Sequence, residues 1–223
     1  MDGSLEIETL PPRRKLVQEG RRYEELFRVH AGWLMAYRQL PDGGRQIFNF
    51  WLPGEIAGVE LLAFAAAPYS VTTITSCRIS RVSRDGIDAS DVFPGGLAML
   101  TALACRNSLI LRERIVSLGR RTAFCRVAHL LLELGLRAGL HKGETMAPLP
   151  LTQLEIADST GLTGPYVNRI FKIMRERGFL EISKEGCELR DTEKLMKLVE
   201  FKPHYLLANR DALTPMPERP DAR

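Results

Sequence analysis

The 223-residue sequence predicts an α+β chain built in successive parts. Three observations carry that prediction. Short β-prone runs cut by turn signals fill the N-terminal part, an unbroken helical repeat follows, and two short helices joined by a glycine turn precede a hairpin. The expected architecture is a double-stranded β-helix, or jelly roll, over residues 1–92 and a long helix over 93–119. A winged helix-turn-helix over 120–210 and a disordered tail over 211–223 complete it.

In the roll, LFRVH and WLMAYRQL stand either side of Ala31-Gly32, and Pro41-Asp42-Gly43-Gly44 turns the chain into GRQIFNFWL. Pro53-Gly54-Glu55 ends that run. Residues 58–67 look helical. The β-branched stretch YSVTTITSCRISRVS then lies between Pro68 and Asp85-Gly86.

From residue 93 the period changes. Leu97, Thr101, Ala104, Ser108, Leu111, Ile115 and Leu118 alternate steps of three and four, a coiled-coil-like seam. Leu100, Leu103 and Ile110 widen the apolar face on one side. A helix docked on its own domain covers one flank; covering two calls for a second surface, and a symmetric copy is the economical one. The seam residues are therefore the expected homodimer interface. Gly119-Arg120-Arg121 reads as a hinge, and Thr122 can cap the next helix. That helix turns Ala123, Val127, Leu130, Leu131 and Leu134 inward, and residues 139–150 form a loop.

Residues 151–182 carry the strongest signal. Thr152 can cap a first helix with Leu154, Ile156 and Ala157 on its apolar face, and Gly161 sits where the chain must turn. Thr163 can cap a second helix at about 163–177, with Pro165 in its first turn, where the missing N–H costs nothing. Val167, Ile170, Phe171 and Met174 recur at helical spacing, leaving Asn168, Arg169, Lys172 and Arg175 opposite. Gly178 closes the helix, and residues 179–189 read as a hairpin. A plain helical hairpin with a solvated face is one reading. Small Ala157, the Gly161-Leu162-Thr163 turn and the excess of Arg and Lys on the second helix favour a DNA-reading unit.

The net charge of +4 is too small to argue for nucleic acid by itself, so the placement of charge matters more than its sum. Cys77, Cys105, Cys125 and Cys187 have no CxxC spacing, which disfavours a zinc or iron–sulfur site and leaves reduced thiols. The start MDGSLEIETLPPRRK lacks a signal-peptide core, and no run approaches ~20 apolar residues. A cytoplasmic protein with no membrane partner is expected. His30 is the one histidine of the roll, with His129, His141 and His204 far downstream, so neither a metal triad nor a Ser/Cys-His-Asp set can be written. No enzyme activity and no cofactor are expected, and the effector is unknown. The competing reading is a small-molecule-binding or enzymatic β-roll protein with a helical tail that does not bind DNA; a metal assay separates the two.

Four blocks in this order resemble the Crp/Fnr family of bacterial transcription regulators. They are GWLMAYRQLPDGGRQIFNFWLPGE (32–55), LGRRTAFCRVAHLLLELGLR (118–137), PLTQLEIADSTGLTGPYVNRIFKIMRERGFLEI (150–182) and FKPHYL (201–206). The resemblance covers nearly the whole chain and points to a subgroup common in alphaproteobacteria, without the cyclic-AMP or iron–sulfur signature. It implies a cyclic-nucleotide-binding-like roll, a dimer, double-stranded DNA as partner, and RNA polymerase where the protein activates. It places Gly164, Pro165, Asn168 and Arg169 in the major groove, with Arg169 matching a retained base-reading arginine. An arginine there can bond guanine through two parallel hydrogen bonds, or reach thymine or phosphate. Thr152, Thr163, Tyr166, Lys172 and Arg175 are the phosphate candidates, Tyr166 packing on the first helix being the other reading for that side chain.

Proline at 165 replaces the glutamate that well-studied members use to accept from cytosine, so their half-site does not carry over. In the roll, Glu55, Gly58, Glu60, Tyr69 and Ser70 are the effector-pocket candidates. The family's Gly-Glu pair for ribose and Arg-Ser or Arg-Thr pair for the cyclic phosphate become Gly58-Val59 and Tyr69-Ser70 here. A buried phosphate would lack its counter-charge, which disfavours cyclic AMP.

Overall fold

The computed structural model describes residues 6–83, 96–139 and 148–206. The expected Asp85-Gly86 turn, the centre of the 139–150 loop, the side chain of Leu97 and the 211–223 tail lie outside them.

Among the described residues eight strands make the roll: β1 (Ile7–Leu10), β2 (Lys15–Val17), β3 (Glu25–Ala31), β4 (Leu34–Gln39), β5 (Arg45–Trp51), β6 (Ile56–Ala57), β7 (Ser70–Thr73) and β8 (Cys77–Ser83). They form two antiparallel sheets, ordered β1-β8-β3-β6 and β2-β7-β4-β5. Alternation explains the stacking: Cys77 and Ile79 of β8 turn into the roll core with exposed Arg78 between them, while Val82, on the opposite face, packs beneath the long helix that follows. Val17, Phe27, Leu34, Trp51, Val71 and Ile79 fill the space between the sheets.

Turns set the registers. Asp42 Oδ1 accepts from the Gly44 amide at 2.9 Å, and Leu40 N donates to Gly44 O at 2.8 Å, closing the β4–β5 hairpin. Gly32 has φ 81°, and a Cβ there would stand 2.2 Å from Ser76 O, so only glycine lets β3 pass into β4 beside the β7–β8 connection.

Two expectations for the roll change. The helical-looking 58–67 stretch forms only a 3-10 turn at Val59–Leu62, because Ala63, Phe64, Ala65 and Ala66 are exposed and give a longer helix nothing to pack against. Strands β1 and β2, too short to stand out in sequence, exist through their pairing with β8 and β7.

Among the described residues five helices follow: α1 (Gly96–Arg120), α2 (Ala123–Arg137), α3 (Gln153–Thr160), α4 (Gly164–Glu176) and α5 (Thr192–Leu198), with the wing strands β9 (Leu180–Ile182) and β10 (Cys187–Leu189) between α4 and α5. Leu149 bridges to Cys187 as a third partner of the wing. Gly186 permits this, since a Cβ on it would meet Leu149 O at 2.0 Å.

One face of α1 docks on the roll, where Met99, Leu100 and Leu103 pack against Leu26, Ile56 and Val82. A single apolar cluster then runs from Met35, Ile47, Phe50 and Leu52 of the roll through Val127, Leu131 and Leu134 of α2. It continues to Ile156, Val167, Phe171 and Met174 of α3 and α4. The roll and the helical part therefore share a core rather than meeting only through the long helix.

Candidate nucleic-acid interface

Local chemistry builds the helix pair. Thr152 Oγ1 accepts from Glu155 N at 3.2 Å while Glu155 Oε2 accepts from Thr152 N at 2.7 Å, a reciprocal capping box at the start of α3. Gly161 ends α3 in the left-handed region, φ 64°, and turns the chain into α4. Thr163 holds the N-cap position of α4 with extended backbone, but its side chain makes no capping bond; Pro165 occupies the first turn as expected. The predicted apolar face of α3 is wrong in one member. Leu154 is 60% exposed, because Ile156, Ala157 and Thr160 form the inner face and Leu154 lies about 200° round the helix from Ile156.

Helix α4 separates its two faces sharply. Val167, Ile170, Phe171 and Met174 are buried, whereas Pro165, Tyr166, Asn168, Arg169, Lys172 and Arg175 are exposed and Gly164 is partly so. Arg169 extends its guanidinium over the Tyr166 ring, 5.7 Å from the centroid, and Tyr166 is 43% exposed beside it. Lys172 Nζ lies 3.9 Å from Glu176 Oε1, both well exposed, which leaves the lysine free to exchange a weak partner for a phosphate. The surface presents three cationic side chains, one guanidinium beside an aromatic ring and the Asn168 amide: the donors that base edges and phosphates accept from. Thr152 belongs to α3 and already spends its hydroxyl on the cap, donating to Glu155 Oε2 at 2.9 Å.

The comparisons with known proteins agree with this geometry. Residues 125–198 match the Crp-like helix-turn-helix domain, and residues 7–89 match the cyclic nucleotide-binding domain. A nitrogen fixation regulation protein, FixK, of Bradyrhizobium diazoefficiens is 32% identical over 176 residues, 77% of this chain and 73% of its own length. The FixK of Azorhizobium caulinodans is also 32% identical, over 78% and 71% of the two chains. The chain belongs to the Crp/Fnr family of DNA-binding transcription regulators. The solved structure of FixK2 from Bradyrhizobium japonicum superposes with a TM-score of 0.76 at 27% identity, covering 87% of this chain and 97% of that one.

Within this Crp/Fnr chain two of the effector-pocket residues named from sequence, Glu60 and Tyr69, meet, while Ser70 and Glu55 bond elsewhere. Tyr69 donates its hydroxyl to Glu60 Oε2 at 2.8 Å and packs edge-on against Phe48, with ring centroids 5.3 Å apart. Burial and the Glu60 carboxylate both raise the Tyr69 pKa. Ser70 Oγ instead accepts from the Glu19 amide, and Gly58 opens the 3-10 turn with φ 91°. Glu55 is committed elsewhere: it accepts from Arg106 at 2.7 Å, from Arg137 at 2.8 Å and from the Leu52 amide at 3.1 Å.

That last carboxylate is part of a network the sequence did not reveal. Arg137 also bonds Glu133 at 2.9 Å and the Phe50 carbonyl, and Arg114 bonds Glu133 at 3.0 Å, so the β5 end, α1 and α2 are joined by buried charges. A second link ties the β4–β5 hairpin to α3, Arg45 to Asp158 at 2.7 Å. Apart from Glu133–Arg137, an i,i+4 pair on one helix, no local signal marks these contacts, because their partners lie up to 113 residues apart.

The α1 seam is redistributed. Thr101, Ala104 and Ile115 are exposed as expected, Ile115 at 69%, and Cys105, Leu109 and Val116 join them. Ser108, Leu111 and Leu118 are half-buried, and Leu118 stands close to Gly161 of its own chain.

Proposed function

We propose that this regulator acts in the cytoplasm as a homodimer, the exposed apolar strip of α1 meeting its copy, and reads a two-fold-related operator through α4. Arg169, Asn168, Pro165 and Gly164 face base edges; Lys172, Arg175, Thr163 and Tyr166 lie toward the phosphates, and Thr152 joins them only by giving up its cap on α3. Residues 1–92 serve as the sensor roll, 93–119 as the dimerisation helix and 120–210 as the DNA-binding domain. RNA polymerase is the further partner where the bound site lies at an activated promoter.

The observation that carries this reading is the division of α4 into a fully buried apolar face and an exposed face bearing Arg169, Lys172 and Arg175. Two such helices on a symmetric dimer meet successive major grooves, so half-sites about 34 Å apart are expected. In vitro selection of bound duplexes tests it: a palindrome with one-turn spacing supports the proposal, and enrichment of no sequence, or of a single unrepeated half-site, removes it.

A further inference from the structure

Between the roll and α3 lies a cleft of about 370 Å³, a volume suited to a small organic molecule. Its floor is one face of the β2-β7-β4-β5 sheet. Lys15, Thr72 and Met35 lie side by side across β2, β7 and β4, and Tyr37 follows two residues along on the same face. This is the face turned away from the roll interior, since Leu34 and Ala36 point into the roll core while Met35 joins the cluster shared with the helices. The opposite wall is the start of α3: Thr152, Leu154 and Glu155. Arg45 closes one end, pinned to Asp158 at 2.7 Å and lying 5.4 Å from the Tyr37 ring centroid.

Two features of this lining have no structural employment. Leu154 is 60% exposed on a helix whose other large apolar side chain, Ile156, is fully buried. Among the described residues, the side chains of Arg13 and Lys15 have no acidic partner within ion-pair distance. Glu155, the one lining anion, is spent on the Thr152 cap. The cleft thus offers two cations with no acidic partner among the described residues, hydroxyls from Thr72 and Tyr37, and an apolar surface from Met35 and Leu154.

We propose that this cleft binds a small amphipathic anion, its acidic head on Arg13 and Lys15 and its apolar body against Met35 and Leu154. The site is separate from the Glu60–Tyr69 region inside the roll and does not depend on the DNA reading. Because one wall belongs to the roll and the other to α3, the ligand bridges the sensor part and the helix-turn-helix.

The test uses the full chain and the fluorescent probe anilinonaphthalenesulfonate, an aromatic body with one sulfonate. Saturable binding is expected, weakened about tenfold or more by Arg13→Gln with Lys15→Gln, and likewise by Leu154→Gln, because each removes one half of the recognition. Octanoate should displace the probe, and inorganic phosphate should not. Phe64→Gln, at a side chain 60% exposed and outside the cleft, should leave probe binding unchanged. Binding indifferent to both cleft variants, or abolished by Phe64→Gln, overturns the proposal. So does a double cation variant that spares the probe but weakens binding to long duplexes, which would make Arg13 and Lys15 DNA-phosphate contacts instead.

Discussion

The guanidinium of Arg137, at the end of α2, holds the carboxylate of Glu55 at 2.8 Å, with the two side chains only 2% and 10% exposed. Glu55 follows β5, so this pair fastens the roll to the helix that carries the DNA-reading pair. Charges so deeply buried stabilise the fold little when intact, yet removing one member strands the others in a poorly solvated place.

Glu55→Ala is therefore expected to cost on the order of 3–5 kcal/mol of unfolding free energy, since Arg137 and Arg106 lose their shared partner. Arg106→Ala should cost less, because its side chain is 28% exposed and water compensates. Urea denaturation of both variants checks the order; equal losses would contradict it.

Acid should act through the same pair. Burial pushes the Glu55 carboxyl up, but the guanidinium groups of Arg137 and Arg106 outweigh it and hold the pKa below its ordinary 4.5. A lowered folded-state pKa gives stability that is complete above the unfolded value and lost as pH falls through the folded one. The Glu55 contribution is expected to be level from about pH 7 to 5 and to decline below about 4.5. Comparing urea midpoints of the parent and Glu55→Gln across that range isolates it: the gap between them should narrow in acid, and a gap that widens would refute the assignment.

The strip on α1 makes a prediction about assembly. Ile115→Glu combined with Leu109→Glu places charge on side chains 69% and 42% exposed in the single chain, so the fold should survive while association fails. Sedimentation velocity should show a dimer for the parent and a monomer for the variant. A monomeric parent at micromolar concentration would contradict it.

What the sequence made legible follows from distance along the chain. The recognition helix could be read because its cap position, its proline and its apolar repeat all fall within thirteen helical residues and the position before them. Gly32 and the Pro41–Gly44 turn were legible for the same reason, a local backbone demand that few residues meet. The Glu55–Arg137 and Arg45–Asp158 pairs were not, since only the folded chain brings residues 82 and 113 positions apart into contact. Leu154 was misjudged because an eight-residue helix has too few turns for its inner face to be fixed by periodicity. Residues 58–67 misled in the opposite way: helix-forming alanines cannot carry a helix past Leu62 when residues 63–66 bury nothing.

The most direct test of the account concerns Arg169, exposed on α4 beside Tyr166. Fluorescence anisotropy with a selected operator and its single-base variants, at several salt concentrations, compares Arg169→Ala with Lys172→Ala. The account predicts that Arg169→Ala costs about 1–3 kcal/mol on the operator and relaxes selectivity at one position per half-site, whereas Lys172→Ala weakens every sequence alike and flattens the salt dependence. Equal losses on every sequence for Arg169→Ala would contradict it, reducing Arg169 to a phosphate contact.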